Sequence, residues 1–170
     1  MKRLWILRHA KSSWPEANVA DSDRPLNQRG ERAAVLMGAA LAQSGVELDT
    51  ILASPALRVR QTIERLGAQI TAEVPVCFDP ELYLASPDTW LDRLRELAVG
   101  DEVLVVGHNP GLEDLVGALA PTGDKAALRS LREGFVTAAL AEISLPLTEW
   151  HALREGMGRL ESLRRPKDLV

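Results

Sequence analysis

The sequence predicts an α/β fold in which a single domain, residues 1–170, has a mostly parallel central sheet with helices on both faces. Two observations support this class. Three short apolar runs rich in branched side chains are typical of buried strands: Leu4 to Leu7, Thr50 to Ala53 and Val103 to Val106. The intervening segments repeat apolar residues every three or four positions, as amphipathic helices do. Strands that alternate with helices predict three layers, α/β/α.

Four segments carry the helical repeat. Their apolar positions are Ala33, Leu36, Met37, Ala40 and Leu41; Val59, Ile63, Leu66 and Ile70; Leu91, Leu94 and Ala98; and Leu112, Leu115, Val116 and Leu119. Gly45 is expected just past the end of the first helix, where glycine is common. Beyond Gly134 the pattern changes, and it predicts a strand from Phe135 to Leu145 and an edge strand from Arg159 to Arg164.

Three Xaa-Pro pairs predict where helices begin. Ser54-Pro55, Ser86-Pro87 and Asn109-Pro110 each place a good N-cap residue before a proline at the first helical position. The first and third pairs directly follow predicted strands. They therefore place Ser54 and Asn109 at the carboxyl edge of the sheet, where open α/β sheets bind ligands.

Composition excludes several classes of protein. The chain has 20 basic and 24 acidic residues and a net charge of −4, which argues against a general nucleic-acid or membrane-surface binder. A single cysteine, Cys77, excludes an internal disulfide and fits a reducing compartment. No apolar run approaches the roughly 18 residues of a membrane span, and the one near Met1 is too short for a signal peptide. We expect a cytoplasmic protein whose oligomeric state the sequence leaves open.

Polar clusters follow the three predicted strands. They are Arg8-His9, Ser54-Pro55-Ala56-Leu57-Arg58 and Gly107-His108-Asn109-Pro110-Gly111. If the strands are parallel neighbours, two histidines and two arginines meet at one edge of the sheet. Arg58 lies in the first turn of its helix, so its side chain leans back toward that edge. His108 precedes a helix N-terminus, which favours an anion. The clusters therefore predict a phosphate pocket.

This set of side chains suits phosphoryl transfer. Two arginines can hold a tetrahedral dianion through paired hydrogen bonds. A neutral imidazole can attack phosphorus, and a second, protonated imidazole can stabilise the charge that spreads over the equatorial oxygens. His9, His108 and His151 lack metal-ligand spacing. We therefore expect neither a metal nor another cofactor.

Three motifs run along the chain in order: Leu7-Arg8-His9-Ala10, Ser54-Pro55-x-x-Arg58-x-x-Gln61-Thr62 and Gly107-His108-Asn109-Pro110. Together they resemble the motifs of the histidine phosphatase (phosphoglycerate-mutase-like) superfamily. The longer first motif, running on through Lys11-Ser12-Ser13-Trp14, is similar to that of the small SixA-like phosphohistidine phosphatases. So are Asp23-Arg24-Pro25-Leu26 and the closing Arg165-Pro166-Lys167-Asp168-Leu169.

The resemblance implies a phosphoglycerate-mutase-like fold and assigns roles to the clustered residues. His9 would be the nucleophile and form a phosphohistidine enzyme intermediate, while Arg8, Arg58 and His108 would bind the phosphoryl group. Asn109 and Lys11 are further candidates for contacts with the substrate. The chain has Ala10 where the commonest first motif has glycine, and Val59 where the second usually has alanine.

The sequence offers one candidate for a leaving-group acid. Larger family members carry a carboxylic acid after the strand that corresponds to Pro75 to Phe78, and Glu81 is the only nearby candidate. A P–N bond to imidazole is more labile than an alkyl phosphate ester, so a missing acid would favour phosphohistidine. The short chain also lacks room for a long inserted lid. An open site suits a phosphorylated protein or a small exposed phosphate.

Two alternatives stay open at this point. One is a phosphatase of a small phosphate monoester, such as a sugar or nucleotide phosphate, for which Glu81 would matter. The other is a non-catalytic phospho-binding module. Among the neighbouring residues, we expect Trp14 to be a packed loop anchor rather than a recognition platform beside the site, and Arg60 a charge on a solvated helix face. We expect Asp23 and Arg24 to form a structural salt bridge or to cap the loop that leads to the helix near Gln28.

Overall fold

Seven strands and six helices make up the computed structural model, which describes residues 1–170. The strands are β1 (Lys2–Arg8), β2 (Thr50–Ala53), β3 (Val76–Phe78), β4 (Glu102–Gly107), β5 (Thr122–Gly123), β6 (Leu140–Leu145) and β7 (Arg159–Arg164). The helices are α1 (Gln28–Gln43), α2 (Leu57–Leu66), α3 (Ala68–Thr71), α4 (Pro87–Leu97), α5 (Gly111–Leu119) and α6 (Lys125–Glu133). None of these helices combines the length and the apolar character that crossing a membrane requires.

All seven strands belong to one sheet, in the order β3-β2-β4-β1-β6-β7-β5. The strands β3, β2, β4 and β1 run parallel, whereas β6 is antiparallel to both β1 and β7. Leu7 of β1 and Ala53 of β2 both lie opposite Val106 of β4. The predicted strands are therefore parallel neighbours that end level with one another, and the polar clusters that follow them meet at one edge.

The sheet separates two buried apolar clusters, as the predicted α/β class requires. Alternate strand residues face opposite sides, so Leu4, Ile6 and Val105 belong to one cluster and Trp5, Leu7 and Val106 to the other. Helices α4 and α5 contribute to the first cluster, and α1 and α2 to the second. The predicted α/β class, with a mostly parallel sheet covered on both faces, is confirmed.

The helix starts agree only in part with the Xaa-Pro pairs. Ser86 caps α4 as predicted, because its hydroxyl accepts a 3.2 Å hydrogen bond from the Thr89 N–H. The prediction for Ser54 is wrong, since α2 begins three residues later at Leu57 and has Ala56 at its N-cap. Ser54 lies two residues before the N-cap of α2 and Asn109 one residue before that of α5, because each strand leaves the sheet through a longer turn than the pairs suggest.

The start of α5 shows the same displacement. This helix begins at Gly111 with Pro110 at the N-cap rather than at the first helical position, and the Asn109-Pro110 peptide bond is cis. Asn109 still accepts a hydrogen bond from the backbone N–H of Glu113, at 3.2 Å. Its side chain therefore stabilises the first turn from outside the N-cap position.

Two further predictions need correction. The predicted strand from Phe135 is shorter than expected, since β6 begins only at Leu140 and Ala138 has a φ of 61°, which is incompatible with a strand. The segment before β6 is a loop whose Ala138 N–H donates to the carbonyls at the end of β1. The repeat that ends at Ile70 spans two helices, because Gly67, with a φ of 93°, interrupts it.

Two other predictions, the end of the first helix and the last strand, agree better with the structure. Gly45 lies just past the end of α1 with a φ of 73°, as predicted. The Arg159–Arg164 segment is a strand, but the two residues of β5 pair with it, so it lies one position inside the edge. Short pairings of this kind leave no recognisable pattern in a sequence.

Candidate active site

A pocket of about 430 Å³ opens at the carboxyl ends of β1, β4 and β2. We call it the histidine pocket. It contains all the residues predicted to bind or transfer a phosphoryl group: Arg8, His9, Lys11, Arg58, His108 and Asn109. The parallel register explains this convergence, because each of these residues lies near the end of one of the three strands.

His9 is held at the end of β1 with a defined tautomer. Its backbone N–H donates to the carbonyl of Gly107 at 3.0 Å, and its ring Nδ1 lies 2.8 Å from the carbonyl of Ala10. Because a carbonyl can only accept, Nδ1 carries the proton and Nε2 keeps a lone pair. Burial, reinforced by the charges of Arg58 and Arg8, lowers the pKa of His9 to about 4. The ring is therefore neutral near pH 7, as a nucleophile must be.

Thr62 connects the first and second motifs behind His9. Its hydroxyl accepts a 3.0 Å hydrogen bond from the N–H of Ala10 and donates to the carbonyl of Arg58 at 2.7 Å. Ala10 and Thr62 are both completely buried. The carbonyl that orients His9 is thus fixed through a side chain of α2, which accounts for the threonine in the second motif.

His108 lies beside His9, with 5.3 Å between the ring centroids. Its Nε2 is 2.7 Å from the hydroxyl of Ser54, and its Nδ1 is 3.2 Å from a guanidinium nitrogen of Arg58. Since a guanidinium only donates, Nδ1 is the acceptor and His108 is neutral. Burial, with the neighbouring His9 ring and the charge of Arg58, lowers the pKa of His108 to about 3. In this arrangement His108 is therefore neutral near pH 7, and a protonated second histidine stays a prediction for the pocket with a bound phosphoryl group.

Arg58 is only 2% exposed and makes a two-point contact with Asp21. One guanidinium nitrogen donates to the Asp21 carbonyl at 2.7 Å, and the other to its carboxylate at 3.0 Å. The same carboxylate accepts hydrogen bonds from the hydroxyl of Tyr83 and from Arg24. Tyr83 first, and then Arg58 and Arg24, lower the pKa of Asp21 to about 2. Asp21 is therefore firmly ionised at neutral pH.

Asp21 and Tyr83 are functional residues that the sequence reasoning missed. The expected partner of Arg24 was Asp23, but the structure pairs Arg24 with Asp21 at 3.0 Å. Residues 21–23 form a 3₁₀ turn, and three residues per turn place positions 21 and 24 on the same side. That spacing is a signal which could have identified Asp21. No comparable signal marks Tyr83.

Arg8 is oriented by the backbone of the loop before β6. Its guanidinium donates to the carbonyl of Phe135 at 3.1 Å, and the amide of Asn109 donates to the same carbonyl at 2.8 Å. The N–H of Phe135 in turn donates to the carboxylate of Glu113, at 2.5 Å, in the first turn of α5. Glu113 thus anchors Phe135, whose carbonyl positions two residues of the pocket.

The remaining predicted residues lie at the mouth of the pocket or outside it. Lys11 and Trp14 line the mouth, and Trp14 is 85% exposed, so its expected role as a packed anchor is wrong. Arg60 lies outside the pocket, with its guanidinium 3.9 Å from the centroid of the Phe78 ring. Arg60 therefore packs on an aromatic face rather than extending freely into solvent.

The structure does not bring Glu81 into the histidine pocket. This residue is exposed in the 3₁₀ turn Pro80–Leu82 and does not line the pocket, where Asp21 is the single carboxylic acid. No three His, Cys, Asp or Glu side chains come together anywhere in the structure as a group that could hold a metal ion. The charge available to an anion in this pocket is that of its arginines and Lys11.

Comparisons with known proteins agree with this geometry. The sequence model of the histidine phosphatase superfamily (branch 1) matches residues 4–83. The uncharacterized protein Rv1276c of Mycobacterium tuberculosis is 34% identical over 166 residues, which are 95% of this chain and all of that protein. The phosphohistidine phosphatase SixA of Escherichia coli is 32% identical over 151 residues, covering 84% of this chain and 85% of SixA.

A solved structure extends the similarity to three dimensions. The structure of the protein histidine phosphatase SixA complexed with tungstate superimposes on this chain with a TM-score of 0.79 and 28% sequence identity, and the match covers 99% of each chain. The sequence identity to relatives along nearly the whole chain, the match to the superfamily's sequence model and this structural similarity lead to one conclusion. The chain belongs to the histidine phosphatase superfamily.

Proposed function

We propose that this protein is a metal-independent phosphatase that hydrolyses phosphohistidine in proteins through a phosphohistidine intermediate on His9. Membership of the superfamily supports a phosphatase. The similarity to SixA supports the substrate class, because that relative is named a phosphohistidine phosphatase. The neutral ring of His9 among arginines supports the assignment of the nucleophile.

In the proposed first step, Nε2 of His9 attacks phosphorus in line with the bond to the substrate. A P–N bond forms at His9 while the P–N bond to the substrate histidine breaks, and its electron pair stays on the departing ring nitrogen. If the other nitrogen of that ring carries a proton, the ring leaves as neutral imidazole. Water then attacks phosphorus on His9, and the P–N bond breaks with its electron pair returning to Nε2. One proton of the water stays on the released phosphate, and the other goes to a second phosphate oxygen or to solvent.

Phosphohistidine is favoured over an alkyl ester by the state of Asp21, the single carboxyl group of the pocket. An alkoxide needs a proton as it leaves, and general acid catalysis contributes about 10²- to 10⁴-fold. Asp21 cannot supply this proton near pH 7, because its pKa lies near 2 and its carboxylate is occupied by three donors. A neutral imidazole leaving group does not require the acid.

Arg8 and Arg58 are the proposed phosphoryl-binding groups. Each has a buried Nε without a hydrogen-bond partner, and an unpaired buried donor costs about 1–3 kcal/mol. An anion in the pocket would let both guanidiniums rearrange toward better-satisfied contacts. A bound dianion would also raise the pKa of His108 and favour its protonated form. Asn109 and Lys11 are proposed as further contacts at the side of the phosphoryl group.

The mouth of the histidine pocket is consistent with a large substrate. Lys11 and Trp14 are exposed there, and neither lies under another segment of the chain. A phosphohistidine ring on a protein surface extends only a few ångströms from its backbone, so it needs an open approach. The residues proposed to transfer and bind the phosphoryl group lie at the end of the sheet, where the surface of a protein substrate can reach them.

The test compares three substrates: a protein phosphorylated on histidine, a chromogenic aryl phosphate and a sugar phosphate, each with and without EDTA. We expect kcat/KM for phosphohistidine to exceed that for the sugar phosphate by at least about 100-fold, the lower range of an acid's contribution. EDTA should have no effect. Rapid quench in alkaline denaturant and digestion at alkaline pH should locate an acid-labile phosphoryl group on His9, absent from His9→Ala. The matched control is His151→Ala, which alters a histidine outside the pocket.

Other outcomes would replace this proposal. Turnover that survives His9→Ala, or that EDTA abolishes, would contradict the mechanism. A preference for the sugar phosphate that is lost in Glu81→Gln would support the monoester alternative. Tight binding of a phosphopeptide without turnover and without a phosphoenzyme would support the phospho-binding module instead.

A further inference from the structure

A second groove, of about 450 Å³, adjoins the histidine pocket. We call it the cationic groove. It shares Lys11 and Thr137 with the histidine pocket, so the two cavities form one continuous surface. No acidic side chain lines it. Its five basic side chains come from the loop after β1, the start of α1 and the segment after β7: Lys11, Arg29, Arg32, Arg165 and Lys167.

Most of this positive charge is unpaired. Arg165 is bound by Glu133 at 2.7 Å and by Asp168 at 3.0 Å. The other four cations are exposed, and none of them takes part in any of the protein's salt bridges. The chain as a whole carries a net charge of −4. Clustered like charges repel one another, so this local excess is most stable when an anion binds.

Backbone contacts fix the positions of these cations. Gly30 lies in the first turn of α1, and a Cβ at this position would overlap the carbonyl of Lys11. The N–H of Asn27 donates to that same carbonyl at 3.0 Å. Only glycine therefore allows α1 to pack directly on the loop that carries Lys11. Arg29 and Arg32, three residues apart, lie on neighbouring positions of one side of the helix.

We propose that the cationic groove binds acidic side chains next to the phosphorylated histidine of a protein substrate, an inference that rests on the proposed phosphatase function. Four unpaired cations on three separate segments exceed what one phosphate group can contact. The groove also includes the apolar side chains of Ala33, Leu36 and Val136, which suit the aliphatic part of a polypeptide. Its continuity with the histidine pocket places such a segment beside the reacting phosphoryl group.

The experiment uses two phosphohistidine peptides of equal length, one with Asp and Glu on both sides of the histidine and one with uncharged residues. We expect wild-type kcat/KM to favour the acidic peptide by about tenfold at low salt, through KM, because several weak attractions between complementary exposed charges add up. The advantage should shrink as salt screens it. The double variant Arg29→Glu/Arg32→Glu should remove it.

A second double variant controls for net charge. Arg129→Glu/Arg132→Glu makes the same charge change at the same helical spacing on α6, and neither residue lines the groove. This variant should keep the preference for the acidic peptide. Equal preference in all three proteins, or an equal loss in both double variants, would overturn the proposal. The proposal would also be overturned if the Arg29→Glu/Arg32→Glu variant lost turnover of a diphosphorylated small molecule but kept turnover of the acidic peptide.

A binding measurement separates this proposal from the proposed function. An unphosphorylated acidic peptide with a fluorescent label is titrated with His9→Ala protein, and its anisotropy is followed. Binding that Arg29→Glu/Arg32→Glu abolishes would support the groove even if no phosphohistidine turnover were found. Absence of such binding, together with normal phosphohistidine turnover, would overturn the groove and leave the proposed function intact.

Discussion

The two halves of the sheet contribute to the histidine pocket in different ways. The parallel half, β3-β2-β4-β1, supplies side chains, because His9, Arg58 and His108 all follow its strands. The other half contributes through the loop before β6, where the backbone carbonyl of Phe135 orients Arg8 and Asn109. The chemistry thus depends on residue identity in one half and on backbone position in the other. Substitutions should therefore have different effects in the two halves.

The largest effect is expected in the parallel half, from Arg58→Met. The variant loses a guanidinium that faces both His108 and Asp21. Removing one preorganised charge donor costs roughly 2–4 kcal/mol of transition-state stabilisation, so kcat/KM for an aryl phosphate should fall about 30- to 1000-fold. Arg60→Met, two residues along α2, should have little effect because Arg60 packs on Phe78 outside the pocket. Equal losses in both variants would contradict the assignment.

An intermediate effect should appear in the pH dependence of stability. The pKa values of His9 and His108 are lowered in the folded protein, to about 4 and about 3. Between the unfolded value near 6.5 and these values, the unfolded chain binds more protons, so stability falls as pH falls. From pH 7 to pH 5, each histidine should reduce the free energy of unfolding by roughly 1–2 kcal/mol.

Urea denaturation at the two pH values measures this effect. His9→Gln and His108→Gln should each reduce the loss of stability between pH 7 and pH 5 by roughly 1–2 kcal/mol. His151→Gln, which alters a histidine outside the histidine pocket, serves as the control. A pH dependence unchanged by His9→Gln would mean that His9 titrates alike in the folded and unfolded chains.

The smallest effect is expected where the pocket depends on backbone position. Glu113→Ala removes the acceptor for the N–H of Phe135. Phe135 is then less firmly anchored, and its carbonyl orients Arg8 less well. We expect kcat to fall roughly tenfold, the equivalent of one buried hydrogen bond. Glu113→Gln keeps an acceptor oxygen and should restore most of the activity. Asp114→Ala, at the exposed neighbouring position, should change little, and a KM effect without a kcat effect would argue against a positioning role.

The same contrast explains how much the sequence could predict. The parallel strands and the four central residues of the pocket are recognisable because each polar cluster follows a buried apolar run. Phe135 leaves no comparable signal, since a carbonyl is common to every residue. The loop before β6 even has the alternation of a strand, and only the positive φ of Ala138 shows that it turns.

Local sequence patterns also gave wrong predictions where a residue contacts a partner that is distant in sequence. Ser54 has the sequence context of an N-cap, yet its hydroxyl contacts His108, 54 positions further along the chain. The carboxylate of Asp21 likewise contacts Arg58 and Tyr83, which are 37 and 62 positions further along the chain. Tertiary hydrogen bonds override local preferences in both cases, and neither contact can be inferred from spacing alone.

In the proposed mechanism, the hydrogen bond from His9 to the carbonyl of Ala10 also determines which isomer of the phosphoenzyme would form. With Nδ1 committed as a donor, a phosphoryl group would be accepted only at the ring nitrogen remote from the backbone, which gives the tele isomer. The acceptor is a main-chain oxygen, which alanine and glycine both carry. The expected isomer is therefore the same whichever of these two residues occupies position 10.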